Sequence, residues 1–215
     1  RNSDGSYRGE ITLRQAFARS SNVAAARLIK DVGPAAVIKA ARDLGISTPI
    51  ASEASIALGT STVSLLELTA AYAAIAQGDA PVRPRGLAQT DEPGWLDRLS
   101  DLRRPLGSRE LEGMRDLMSA AVNEGTGRSA ALSVETFGKT GTTQDNRDAL
   151  FLGYADGLVA AVWRGNDDNT PTPGLAGGGA PARVWRDFMA QALGVAAKPK
   201  PVVEDLGNES DLLGD

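Results

Sequence analysis

Apolar positions along this chain fall at helical spacing up to about residue 130 and in short unbroken runs afterwards, so the pattern predicts helices first and strands second. In the segment 11–33, Leu13, Phe17, Ala24 and Leu28 share a helical period behind Thr12, a suitable N-cap. Ser20, Ser21 and Asn22 interrupt that period, which is compatible with one helix running through or with two helices meeting there. Pro34 opens a short helix through Val37, Ala41 and Leu44 that Gly45 ends, and residues 46–63 read as loop. Ser64 and Glu67 form an S-x-x-E capping box ahead of Leu65, Leu68, Tyr72 and Ile75, with Gly78 past the last turn.

From Asp79 to Pro105 the sequence turns rich in Pro, Gly and Asp, and reads as a surface excursion with a short strand near Val82 to Leu87. A further helix spans Ser108 to Glu124, and "EGTG" ends it. Three strand candidates follow: "VETFGK" from Val134, then "ALFLGY" and "LVAAVW" joined across Asp156 and Gly157 as a hairpin. A Gly-rich loop, read as a flexible connection, leads to a last helix with the face Val184, Trp185, Phe188, Met189 and Leu193. Beyond it, residues 194–215 read as a flexible tail. Helices followed by an antiparallel meander give an α+β fold, an antiparallel sheet flanked by a helical subdomain.

Composition narrows the chemistry more than the class. The 215 residues suit one domain, and a net charge of −4 with scattered basic residues argues against a nucleic-acid partner. There is no cysteine, which excludes thiolate nucleophiles and disulfides. There is no histidine either, so proton transfer must rest on lysine, carboxylates or hydroxyls. "GNDDN" lacks the spacing of a calcium loop, and no metal or other cofactor is expected.

The stretch "ETFGKTGTT", residues 135–143, admits two readings. A phosphate-binding loop needs Gly six positions before Lys139, where Ser133 stands, and a helix after Thr140, where Gly141 and a strand follow. The K-T-G triplet of serine acyl-transferases instead needs a strand at the lip of a cleft, with Lys139 pointing in and a small Gly141 beside the substrate. Taken alone, the triplet reads more simply as an exposed lysine at a strand end before a turn glycine. Ser20-Ser21-Asn22 supplies an S-x-N element, or simply an N-cap.

Longer stretches carry a resemblance. "LRQAFARSSNVAAARL", "ASIALGTSTVSLLELTAAYAAIA", "GTGRSAAL", "GKTGTTQDNRDALFLGY", "VWRGNDDNTP" and "PARVWRDFM" succeed one another as in the transpeptidase domains of class A penicillin-binding proteins. The likeness spans about Thr12 to Met189, and residues 1–193 resemble the C-terminal part of such a domain.

That resemblance implies a penicilloyl-serine-transferase fold, β-lactamase-like and incomplete at its N-terminal side, with the acylation cleft between sheet and helices. It implies that Ser20 relays protons and that Asn22 bonds the substrate backbone and the lysine of the nucleophile. Lys139 would keep the cleft electropositive for the carboxylate of a D-Ala-D-Ala stem peptide of peptidoglycan or of a β-lactam. The hydroxyls of Thr140 and Thr142 would bind that carboxylate, and the Thr142 N–H would be an oxyanion donor of the kind worth about 3 to 4 kcal/mol.

The S-x-x-K element that carries nucleophile and base is missing: Lys30, Lys39, Lys139, Lys198 and Lys200 follow Arg27, Ala36, Thr136, Val195 and Ala197 at that spacing. The family places it upstream, so the chain reads as a fragment that does not acylate by itself, with the edge of "LVAAVW" left without its strand partner. The E-x-x-N element of class A β-lactamases is not visible, which favours transpeptidase over lactamase. The implied parent carries a glycosyltransferase domain and a membrane anchor upstream and works on the periplasmic side. A non-catalytic stem-peptide binding module of the same fold is the rival reading.

Overall fold

A computed structural model describes residues 9–87 and 103–198. Its helices are α1 (Leu13–Ala18), α2 (Asn22–Val32), α3 (Pro34–Asp43), α4 (Leu65–Gln77), α5 (Ser108–Asn123) and α6 (Ala180–Leu193). The strands are β1 (Asp79–Ala80), β2 (Arg104–Pro105), β3 (Phe137–Thr142), β4 (Asp148–Ala155) and β5 (Leu158–Gly165). β3, β4 and β5 form an antiparallel meander in that order, and β1 pairs with β2 apart from it. The expected α+β architecture is therefore present.

The sheet is the middle of three layers. Across it, Phe137 of β3, Tyr154 of β4 and Val159 of β5 stand in register, and with them pack Ile75 of α4, Met118 of α5 and Phe17 of α1. On the opposite face Phe151 meets Trp185 edge-on, ring centroids 5.1 Å apart, and Met189 and Ala182 of α6 complete that core. Residues 151–155 of β4 are buried throughout, because helices cover the strand from both sides. This double cover is why "ALFLGY" is an unbroken apolar run instead of an alternating one. The hairpin forms at Asp156 and Gly157, both at positive φ (45° and 77°), which is the backbone that a two-residue turn with the twist of its strands needs.

Several expectations are corrected. Residues 82–87 form no strand, since Pro81 and Pro84 remove backbone donors there; the pairing is confined to β1 and β2, and residues 88–102 lie outside the described residues. Ser64 is the N-cap of α4, but its side chain makes no cap bond, and Glu67 instead accepts from the hydroxyls and backbone N–H groups of Ser47 and Thr48, pinning the loop after α3. Part of that loop, Ala54–Leu58, is a 3-10 turn.

Only half of the expected α6 face is buried. Trp185 and Met189 lie against the sheet, whereas Val184 and Phe188 form a second stripe about 100° round the helix and are more than half exposed. The tail begins later than residue 194: Ser133 donates to Ala196, Lys198 donates to Ala131, and Leu132 bridges to Ala197. The remainder, 199–215, is outside the described residues.

Candidate functional site

Two corners of the fold meet at the site, and the first is built at Ser20. α1 starts at the Thr12 cap, closed reciprocally by Gln15, and ends after only six residues. Ser20 donates its N–H to Phe17 O and Ser21 donates to Ala16 O, the crossed pair of bonds of a Schellman stop. Such a stop puts its C′ residue in the left-handed region, and Ser20 has φ 54°. Glycine would occupy that position without strain, whereas a side chain there costs about 1 to 2 kcal/mol. Ser21 then becomes the N-cap of α2, its Oγ accepting from Ala24 N, and Asn22 is the first residue of the new helix. The helix thus breaks within the S-x-N triplet.

The second corner is β3. The sequence led us to expect a strand from Val134 to Lys139, with Gly141 either beside the substrate or starting a turn; the strand runs Phe137–Thr142 and contains the triplet, with Gly141 opposite Leu150. Residues 134–136 are held out of it by Thr136, whose hydroxyl donates to Val134 O and accepts from Leu132 N. Strand pleat sends Phe137, Lys139 and Gly141 to one face and Thr140 and Thr142 to the other. Lys139 therefore faces the helical layer. Its Nζ donates to Ser20 Oγ at 2.9 Å and to Thr140 O at 3.0 Å, and it lies 5.7 Å from the centre of the Phe17 ring, within cation-π range.

On the other face the threonines meet two loops. Thr140 Oγ1 lies 2.6 Å from Thr126 Oγ1, and Thr142 Oγ1 accepts from Gly177 N at 3.1 Å. The Gly-rich segment is thus a packed wall instead of the flexible connection expected. A Cβ on Gly177 would come within 2.4 Å of Gly141 O and Leu150 O, and one on Gly178 within 2.2 Å of Thr126 O. A Cβ on Gly141 would meet only the Leu150 side chain at 3.5 Å, an ordinary contact. The fold itself does not demand glycine at 141.

Of the expected site residues, Ser20, Lys139 and Thr140 are joined directly, with Gly141 and Thr142 continuing the same strand. Asn22 sits two residues beyond Ser20 and its carboxamide forms no hydrogen bond among the described residues. Phe17, Thr126 and Gly177 were not expected. Phe17 looked like a core position, and "EGTG" looked like a helix stop; nothing in either pattern marks a partner more than ten residues away.

No carboxylate pairs with Lys139 among the described residues, and burial pushes its ammonium down to about 8. The unfolded value is near 10.4, so the native state releases this proton first; stability from this group rises with pH between about 8 and 10.4, and the cost of the buried cation is fully present below that window. Titrating the Lys139 side chain by carbon-13 NMR should give a midpoint near 8 that disappears in Lys139→Met; a midpoint above about 10 would contradict the burial. For Ser20, glycine and alanine separate strain from chemistry. Ser20→Ala keeps the left-handed strain and loses the bond to Lys139, whereas Ser20→Gly loses the bond and relieves the strain. Thermal unfolding should place the glycine variant about 1 kcal/mol above the alanine variant; equal stabilities would mean that the corner is unstrained.

The geometry has relatives of known kind. The profile of the penicillin binding protein transpeptidase domain matches residues 1–190. Penicillin-binding protein 1A of Aquifex aeolicus is 34% identical over 194 residues, covering 88% of this chain and 27% of that protein. Penicillin-binding protein 1A of Neisseria meningitidis is 35% identical over 208 residues, covering 90% and 26%. This chain therefore spans about a quarter of the length of these relatives. In fold it is similar to penicillin-binding protein 1A from Haemophilus influenzae, with a TM-score of 0.72 at 23% identity over 93% of this chain and 37% of that one. It is also similar to penicillin-binding protein A from Mycobacterium tuberculosis in its imipenem acyl-enzyme complex, with a TM-score of 0.64 at 22% identity over 89% and 51%. With nearly nine-tenths of its length matched, the chain belongs to the penicillin-binding protein transpeptidase domain family and has the penicilloyl-serine-transferase fold.

Proposed function

We propose that this chain is the substrate-binding portion of a serine D,D-transpeptidase within a bifunctional cell-wall synthase. The observation that carries this reading is the bond from Lys139 Nζ to Ser20 Oγ, which couples the K-T-G strand to the S-x-N corner. A hydroxyl touching an ammonium of lowered proton affinity can pass a proton in either direction without histidine.

The reaction requires a nucleophilic serine and its lysine base, and no serine in this sequence stands three residues before a lysine. Both groups are assigned to the upstream part of the parent. The serine oxygen attacks the carbonyl carbon of the penultimate D-alanine of a stem peptide; the peptide bond breaks, and the terminal D-alanine leaves after its amine takes a proton relayed through Ser20. An acceptor amine then attacks the ester, forms the cross-linking amide and returns the proton to the serine. Asn22, with a carboxamide that is free among the described residues, holds the peptide backbone and the base lysine.

Lys139 with the hydroxyls of Thr140 and Thr142 receives the terminal carboxylate, and Thr142 N–H donates to the oxyanion. Gly141, which the packing leaves room to enlarge, is small so that the peptide can lie on the strand. A β-lactam enters the same way, but its ring opens without losing a leaving group and the serine remains acylated. The parent carries a glycosyltransferase domain and a membrane anchor upstream and works on the periplasmic side. No helix among the described residues is long and apolar enough to cross a membrane.

A fluorescent penicillin separates the possibilities. The full-length parent should form a covalent adduct that peptide mapping places on a serine upstream of residue 1, while the isolated 215-residue chain forms none. An adduct on the isolated chain would contradict the upstream assignment. A parent that binds D-Ala-D-Ala peptides without ever forming an adduct would be a binding module and not an enzyme.

A further inference from the structure

The loop after α5 touches both halves of the site, and its residue Thr126 has no part in the mechanism above. Its backbone N–H donates to Ala18 O, two residues before Ser20, at 3.0 Å. Its hydroxyl lies 2.6 Å from the hydroxyl of Thr140, and its carbonyl abuts Gly178 so closely that no side chain fits between. Gly125 beside it has the same intolerance, since a Cβ there would fall 2.0 Å from Ala18 O. Residue 126 is therefore clamped on three sides, and the position of its hydroxyl is set by backbone packing.

We propose that Thr126 is a positioning residue for the carboxylate subsite: it donates its hydroxyl hydrogen to Thr140, so that the Thr140 hydrogen is left to point at a bound anion. This rests on the transpeptidase reading. Each threonine hydroxyl has one hydrogen to give and two lone pairs to receive. At Thr142 the direction is fixed, because Gly177 N can only donate; Thr142 Oγ1 accepts and keeps its own hydrogen free. The bond between Thr126 and Thr140 can run either way. If Thr140 donated, its hydrogen would be spent on the scaffold and a carboxylate beside it would face a lone pair. With Thr126 as donor, Thr140 and Thr142, neighbours on one face of β3, keep two free hydrogens, and the Lys139 ammonium reaches round from the other face to Thr140 Oγ1 at 3.5 Å. A bound anion favours this direction, and the clamp on Thr126 holds the donor ready for it.

The test uses the full-length parent and two probes, benzylpenicillin and its methyl ester, which lacks the anionic carboxylate. Acylation is resolved into a dissociation constant and a chemical rate for wild type, Thr126→Val and Thr126→Ser. Valine keeps the shape and removes the donor; serine keeps the donor. The expected pattern for valine is a loss of about tenfold with benzylpenicillin, carried mainly by the dissociation constant, with the ester unchanged. Serine should stay within about twofold of wild type on both probes. The proposal fails if valine slows both probes in the same proportion, if serine is as poor as valine, or if valine matches wild type. A wild-type parent that is acylated by neither probe would overturn the transpeptidase reading itself and this inference with it, so the two failures are told apart by the wild-type lane.

Discussion

An ammonium on a strand and a hydroxyl at a helix break, 119 residues apart in sequence, meet at 2.9 Å, and this contact ties the sheet to the helix break. Both partners are held in states that an isolated peptide would avoid. Ser20 occupies the left-handed region at φ 54°, and Lys139 is desolvated with, among the described residues, neutral oxygens and one aromatic ring for company. A single hydrogen bond contributes about 1 kcal/mol, too little to offset a strained serine and a buried cation. The balance comes from the core, where the Phe151, Trp185 and Met189 cluster on one side of the sheet and the Tyr154, Met118 and Ile75 cluster on the other fix β3 against the helical layer.

Held in this way, the cation has no carboxylate beside it among the described residues, and the proposed anion binding would use that unbalanced charge. Preorganisation of this kind would avoid reordering dipoles in the proposed binding of an anion. The pleat of β3 divides the labour: residue 139 reaches the serine on the helical face, while residues 140 and 142 reach loops on the other. One strand thus carries the contact to Ser20 on one face and the two threonine contacts on the other, the arrangement on which the proposed proton relay and anion recognition rest. The short α1 matters for the same reason, because its stop at Arg19 leaves Ser20 in the left-handed backbone from which its hydroxyl meets Lys139.

Much of this was legible in the sequence wherever a rule acts locally. The Thr12 cap, the Pro34 start, the Asp156-Gly157 hairpin and the helix-to-strand order all follow from neighbours in the chain. Long-range competition decided the rest. Glu67 had a capping partner three residues away and bonded Ser47 and Thr48 instead. Val184 and Phe188 fit the helical period as well as Trp185 and Met189 do, and only the sheet chose between the two stripes. The Gly-rich loop looked flexible because composition reports entropy, whereas the close approach of Gly177 to Gly141 depends on what lies opposite. The S-x-N and K-T-G residues were singled out through family likeness, while Thr126 had no sequence signal because its contact with the Thr140 hydroxyl arises only in the fold.

Ser20 and Lys139 are expected to act as one unit. A double-mutant cycle on the full-length parent, with Ser20→Ala, Lys139→Met and both together, measures this through the rate of acylation by a fluorescent penicillin. The expected result is strong non-additivity, with the second substitution costing little once the first is made. Two losses that simply multiply would mean that the hydroxyl and the ammonium work independently, and the contact at the centre of the cleft would have no chemical role.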